Sequence, residues 1–194
     1  GPVAWLDDPR AMMGIALQIL GYDANSTDPA QITEARDFLI SNGGNVVSIA
    51  GDDGQAQLER GDVDITVEYM GDIYQVAADC ECETYDFVIP AEGGNIWMDN
   101  LAIPVDAPNK ALAEVFINYI LDPQVGADIA NYTAYATPNQ AALDAGLIDP
   151  AYLDSPIIYP PEESREHLFS ILPVTEVETN YNDAWDEIKI SLGQ

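Results

Sequence analysis

Two residues in the run from Glu92 to Pro104, Glu-Gly-Gly-Asn-Ile-Trp-Met-Asp-Asn-Leu-Ala-Ile-Pro, carry the clearest chemistry in this chain. If the run is extended after its Gly-Gly pair, side chains alternate. Trp97, Asp99 and Leu101 then face one way and Ile96, Met98 and Asn100 the other. A large flat ring would stand beside a carboxylate. That pair suits an organic cation, because the ring offers its negative face to the charge and the carboxylate accepts N–H hydrogen bonds. The same two residues could equally be a core Trp and a solvated Asp, so the surrounding elements have to decide.

Other constellations offer less. Cys80 and Cys82, with Glu81 between them, are too close in sequence for an unstrained mutual disulfide, and two thiolates alone do not make a zinc site. The single His167 has no Cys or His near it in sequence, so neither a transition-metal site nor a Ser-His-Asp or Cys-His arrangement is supported. The acidic turn Gly51-Asp52-Asp53-Gly54 lacks the spaced ligands and closing Glu of a calcium loop. Glu68 or Asp72 paired with Asp99 would suggest a glycosidase, but no other catalytic signature accompanies them. No metal, cofactor or enzyme activity is expected.

The elements that must position Trp97 and Asp99 are legible in outline. Asp8 is a natural N-cap, Pro9 fits the first helical position and Gly21 reads as the stop; Met12, Ile15, Ala16, Ile19 and Leu20 form the buried stripe. A carboxylate in the position of Asp8 can cap a helix and also face a cleft. Asp28 and Pro29 repeat this grammar for a helix that Asn42, Gly43 and Gly44 end, with Ile32, Ala35, Phe38 and Leu39 inward. Strands are expected over 45–50, 62–69 and 85–90, with helices over 55–60 and from Met70 to about Ala78.

Beyond Pro104 the pattern is mainly helical. The spacing predicts a helix over 109–121 with Leu112, Val115, Phe116, Tyr119 and Ile120 on one side, and another from Asp122-Pro123 to about Tyr132. A turn-rich loop then carries Tyr135, a short helix covers 140–145, and a Pro- and Tyr-rich stretch runs over 149–166. A final helix over 175–192 places Tyr181, Trp185 and Ile188 on its apolar side. Strands alternating with helices imply an α/β fold with an open sheet, in which ligands bind beyond the strand ends. Asp8 and Tyr69 fall there.

Composition narrows the partners. The chain has 194 residues, 47% hydrophobic and 21% charged, as in an ordinary globular protein with a sizeable core. Its 34 Asp and Glu against 6 Lys and Arg leave a net charge of −28, which repels nucleic acid and anionic lipid and attracts cations. Salt or solubility adaptation explains the bulk of that acidity, so only carboxylates in a pocket argue for a ligand. No apolar run approaches the roughly 20 residues a spanning helix needs. No signal peptide is read, and the opening Gly-Pro resembles the scar left by protease cleavage.

Several blocks in order resemble one family: Asp7-Asp8 before the first helix, Leu-Gly-Tyr-Asp-Ala-Asn-Ser-Thr-Asp-Pro over 20–29, Gly-Asp-Val-Asp-Ile over 61–65, the 92–104 run, Phe-Ile-Asn-Tyr-Ile-Leu-Asp-Pro over 116–123 and Tyr-Ala-Thr-Pro-Asn over 135–139. Together they resemble the periplasmic polyamine-binding proteins of ABC importers, the spermidine/putrescine-binding family. The resemblance implies a type II periplasmic-binding-protein-like fold, here mainly the second lobe plus the returning helices of the first. Residues 1–103 would be the second-lobe α/β core, 104–148 the helices returning to the first lobe, and 149–194 a connecting segment and C-terminal helix packing on the second lobe.

It also implies a polyamine held in an interlobe cleft by aromatic and carboxylate contacts, and a membrane permease as partner. Asp8, Tyr69, Trp97, Asp99 and Tyr135 are the positions that match the family's ligand-binding residues. Location would be periplasmic or otherwise extracytoplasmic, with a lipid anchor on the full-length protein a further option. An N-terminal lobe would be missing, so weak or absent ligand binding and self-association through uncovered apolar surface are expected. Two departures stand out: Ala11 where spermidine binders tend to carry a second acid, and a longer stretch from Cys80 to Tyr85. The same fold binding another small solute, or a sensor or adaptor domain without transport, are the alternatives.

Overall fold

The strand on which the fold turns is one that the sequence pattern did not single out. In the computed structural model, which describes residues 1–51, 53–80 and 84–194, Val3–Leu6 forms β1 at the centre of a parallel three-stranded sheet ordered β2-β1-β3. The strand is only four residues long and opens the chain, so it offers no period long enough to read. A Cys80–Cys82 bridge, calcium at the Asp52-Asp53 turn and the extra length between Cys80 and Tyr85 all involve residues outside those described.

Two compact units make up the chain. The first comprises Gly1–Tyr69, Val88–Trp97 and Glu162–Gln194; the second comprises Met70–Phe87 and Met98–Pro161.

In the first unit β1 leads into α1 (Pro9–Ile19) and α2 (Pro29–Asn42), and a short 3-10 turn (Gly43–Asn45) delivers β2 (Val46–Ala50). Then come α3 (Gly54–Arg60) and β3 (Ile65–Thr66). Ala4, Trp5 and Leu6 lie opposite Ser48, Ile49 and Ala50, while Val3 and Ala4 lie opposite Ile65 and Thr66. The strand expected over 62–69 is thus regular at two residues, although Asp64 N–H to Pro2 O (2.9 Å) and Val67 N–H to Ala4 O (3.0 Å) carry its pairing a little further.

Both early helices start as their sequence demands. Asp8 Oδ1 accepts from the Arg10 and Ala11 amides, both at 2.9 Å, and Asp28 Oδ1 accepts from Ala30 at 2.8 Å. Each cap satisfies donors that a helix start leaves open, and each is followed by a proline that has no N–H to lose.

The core of this unit gathers Met12, Met13, Ala16 and Leu17 of α1, Ile32, Ala35 and Leu39 of α2, and Tyr181, Trp185 and Ile188 of the closing helix α10 (Glu178–Leu192) over Trp5 and Leu6. Tyr181 is fully buried; its hydroxyl donates to Ser26 O at 2.7 Å, and the Arg10 guanidinium lies 4.5 Å from its ring centroid. A second, two-stranded parallel ladder joins β4 (Gly94–Asn95) to β5 (Leu168–Phe169), just after the short helix α9 (Glu162–Arg165).

The second unit holds α4 (Met70–Asp79), α5 (Lys110–Ile120), α6 (Pro123–Thr133), α7 (Gln140–Asp144) and α8 (Pro150–Leu153), and a small core of Ala127, Ala130, Ala142 and Ile148 joins α6 to α7 with Tyr152 of α8 packed against it. Tyr74 and Tyr152 meet edge-to-face at 5.4 Å. Asp122 and Asp149 cap α6 and α8 as Asp8 and Asp28 cap their helices.

Two expectations fail here. Residues 85–90 form no strand, because apolar alternation cannot tell a paired strand from an extended connection. The run over 92–104 is a strand only at Gly94–Asn95, so the alternation that put Trp97 and Asp99 on one face has no strand to act on. The expected apolar stripe of α5 is present and exposed, with Leu112 at 68% and Phe116 at 57%. Periodicity shows that a face is apolar, not that anything covers it.

Two measurements test these packing statements. Burial pushes the Tyr181 hydroxyl above its ordinary value; the Arg10 charge opposes that and Asp23 adds to it. A raised native value means this contribution to stability is full below about pH 10 and falls as pH rises towards the native value. Tyr181→Phe should therefore lose about 1–2 kcal/mol at neutral pH by orphaning Ser26 O, yet show a flatter alkaline limb in urea titrations. Phe116→Gln should change stability by no more than about 0.5 kcal/mol while lowering the fluorescence of a bound hydrophobic dye.

Candidate functional site

The carboxyl edge of the parallel sheet is where the strands of an open α/β sheet present their loops. From β1 the chain emerges as Asp7-Asp8, and from the neighbouring β3 as Val67, Glu68 and Tyr69. Connections from β1 and β3 run to different helices, α1 and α4.

The two aspartates are used differently. Asp7 Oδ1 accepts from the indole Nε1–H of the buried Trp185 at 2.7 Å, and the Asp7 amide extends the sheet by donating to Ala50 O, also at 2.7 Å. Asp7 thus ties α10 to the end of β1. Asp8 is half-buried and gives one oxygen, Oδ1, to the cap of α1. Capping is the ordinary work of an Asp-Pro pair in this chain, as Asp28, Asp122 and Asp149 show. What sets Asp8 apart is its place at the end of the central strand.

Tyr69 is half-buried against the core, and its ring meets that of Trp97 edge-to-face with centroids 5.1 Å apart and planes at 67°. This geometry places the positive ring edge of one partner on the negative face of the other. Trp97 remains 47% exposed.

The segment that delivers Trp97 is held firmly. Gly93 has φ +109°, where a side chain is strained, and a Cβ there would collide with His167 O. Gln18 of α1 donates to that same carbonyl at 2.6 Å, and Ile96 N–H donates to Phe169 O at 2.9 Å. Gly14 lets the Phe169 ring lie on α1, since a methyl there would come within 2.7 Å of its Cζ. The Gly-Gly pair thus leads into a two-residue ladder rather than the longer extended run expected, and that ladder is clipped to α1.

Of the five expected site residues, the first unit brings Tyr69 and Trp97 into contact and sets Asp8 and Tyr69 at the ends of paired strands. Asp99 and Tyr135 belong to the second unit. Asp99 is exposed in an irregular segment, whereas Tyr135 is half-buried, with its ring lying over the first turn of α4 at Gly71. The sequence reading left out the bond from Trp185 to Asp7, because 178 residues separate them and neither belongs to a local motif.

Electrostatics favour a cation. Arg36, Arg60, Lys110, Arg165 and Lys189 pair with Asp37 and Glu187, Asp62, Glu114, Glu162 and Asp186 respectively, and Arg10 lies over Tyr181. All 6 basic residues are thus engaged elsewhere, and the carboxylates at Asp8 and Asp99 are not neutralised by them.

This is the fold of the α/β periplasmic solute-binding proteins. A putative spermidine/putrescine ABC transporter structure from Listeria monocytogenes superposes with a TM-score of 0.85 at 31% identity, covering 97% of this chain and 57% of that one. The family model described as bacterial extracellular solute-binding protein matches residues 1–158, and the chain belongs to that family. The spermidine/putrescine-binding periplasmic protein of Escherichia coli K12 is 35% identical over 164 residues, covering 84% of this chain and 46% of that protein. The putrescine-binding periplasmic protein PotF of the same strain is 31% identical over 193 residues, covering 96% of this chain and 52% of that protein. The chain therefore spans about half the length of these relatives.

Capping and any charge role of Asp8 can be separated, because Asn caps about as well as Asp. Asp8→Ala should lower stability by about 1 kcal/mol, whereas Asp8→Asn should stay within about 0.3 kcal/mol of wild type in chemical denaturation. Equal losses in both would mean that the charge itself supports the fold.

Proposed function

We propose that the whole protein is the extracytoplasmic, periplasmic solute-binding component of an ABC importer, taking a polyamine of the putrescine or spermidine kind to its permease. The observation that carries this reading is the half-exposed Trp97 seated on Tyr69 in the same unit as Asp8 at the carboxyl edge of the sheet. An alkyl diamine needs apolar rings along its methylenes and carboxylates at its ammonium ends. Each ammonium can donate three N–H bonds, strengthened when the acceptor is charged. Asp8 and Asp99 are the proposed acceptors and Tyr69, Trp97 and Tyr135 the proposed aromatic contacts, in an interlobe cleft of the whole protein. The relatives' names point to the same ligand class.

The uncovered stripe of α5 supports the companion proposal that further polypeptide completes the protein, with 104–148 belonging to the first lobe and 1–103 and 149–194 to the second. Ala11 is buried and gives no second acid beside Asp8. The length of the preferred polyamine is therefore to be measured rather than inherited from the relatives.

Calorimetric titration of the whole protein with putrescine and spermidine tests the reading, with a sugar and glutamate as controls. Saturable heat from the amines alone is expected, lost in Trp97→Ala combined with Asp8→Asn, each contact contributing roughly 0.5–2 kcal/mol. No saturable heat from the whole protein would overturn the assignment of recognition to these five side chains, whereas this half-length chain alone is expected to bind weakly or not at all. Heat that survives the substitutions but vanishes at about 0.5 M salt would reduce the effect to diffuse attraction by net charge.

A further inference from the structure

Tyr135 rests on an unusual seat. Gly71, buried in the first turn of α4, has no side chain, and the Tyr135 ring occupies the space a side chain would fill. A methyl on Gly71 would lie 2.5 Å from Cδ2 and Cζ of that ring, and closer still to Cε2. Carbon atoms in contact normally keep about 3.5–4.0 Å, so ring and methyl cannot both be there. Gly71 carries no positive φ, and the helix has no conformational need for glycine at this position.

The approach of Tyr135 to Gly71 is fixed from the other side as well. Gln75, one helical turn after Gly71, donates to Thr133 O at 3.0 Å and so ties α4 to the last residue of α6. Ala134 then closes α6 with φ +58°, the one non-glycine residue with positive φ among the described residues. Glycine is the usual residue in that left-handed position. The methyl of Ala134 is nevertheless kept, in a residue only 1% exposed. A strained, filled turn thus delivers Tyr135 onto the bare backbone of Gly71, and outliers of this kind cluster where a side chain must be held for function.

We propose that Gly71 is a positioning residue for ligand binding, setting how deeply the Tyr135 ring sits and hence where it presents a wall to the ligand. The role rests on the polyamine reading above only in its last step, since the placement of the ring by Gly71 can be read without any ligand. Nothing in this role requires Gly71 to touch the ligand.

Gly71→Ala is the direct probe, because alanine favours the helix and the clash is with the Tyr135 side chain, which can swing away, rather than with backbone. The ring environment would be followed in the free protein by NMR of selectively labelled tyrosine, and binding by calorimetry with putrescine and spermidine. Gly71→Ala is expected to shift the Tyr135 ring resonances, keep a cooperative melt, and weaken binding by about 5- to 10-fold, the loss of one aromatic contact. In a Tyr135→Ala background, the same substitution is expected to change affinity less than about 2-fold, since there is no ring left to move. Unmoved ring resonances, or losses that simply add in the double variant, would overturn the proposal. Moved resonances with no amine binding by any variant of the whole protein, wild type included, would instead overturn the polyamine reading and leave the seating of Tyr135 by Gly71 standing.

Discussion

Everything in the first unit depends on β1 being paired on both sides. Its four residues pair with β2, more than 40 residues on, and Val3 and Ala4 pair with β3, about 60 residues on, all three strands running parallel. Parallel neighbours require crossover connections, so the pairing forces α1, α2 and α3 out of the sheet plane. It also forces every strand to end at the same edge. Asp7 and Asp8 sit at that edge because β1 stops there, and Tyr69 joins them because β3 stops beside it. The closing helix then locks the arrangement, as Trp185 holds the carboxylate of Asp7 and Tyr181 holds Ser26 O. The core is incomplete until the last 17 residues pack, which makes its contacts non-local and its assembly slow relative to a helical bundle.

How much of this was legible depended on whether a feature is local. The Asp-Pro caps were, since capping geometry is set within three residues, and all the long helices fell close to where their caps and stripes placed them. The α/β class was legible from the alternation of elements. The central strand was not, because Val-Ala-Trp-Leu carries no alternation and no flanking pattern. The strand expected at 85–90 failed for the converse reason: it has the composition of a strand but lacks a neighbour to pair with. At the site, Tyr69 and Trp97 were named separately as family-matched positions, but their edge-to-face contact is a tertiary fact. Asp99 was tied to Trp97 by an alternation read for a strand, and the run forms a strand only at Gly94–Asn95.

The acidity of the chain looks different once its helices are seen. Four Asp-Pro pairs place a carboxylate at a helix start, where it satisfies backbone donors and meets the positive end of the helix dipole. Those acids are structural whatever the ligand. The basic residues are spent on exposed ion pairs, which contribute little to stability, or on the Tyr181 ring. The result is a strongly negative protein whose few cations lie elsewhere than at Asp8.

That distribution also says something about α5. In a chain with 34 acids and 6 bases, residues 110–121 carry one of each, Glu114 and Lys110. An acidic coat that served only solubility would have no reason to thin out over a helix whose apolar face points outward. Surfaces that will be covered do have a reason, since depletion of charge from the centre of a contact avoids desolvating ions that gain no partner. The exposed row of Leu112, Val115, Phe116 and Tyr119 therefore has the composition of a face meant to be covered.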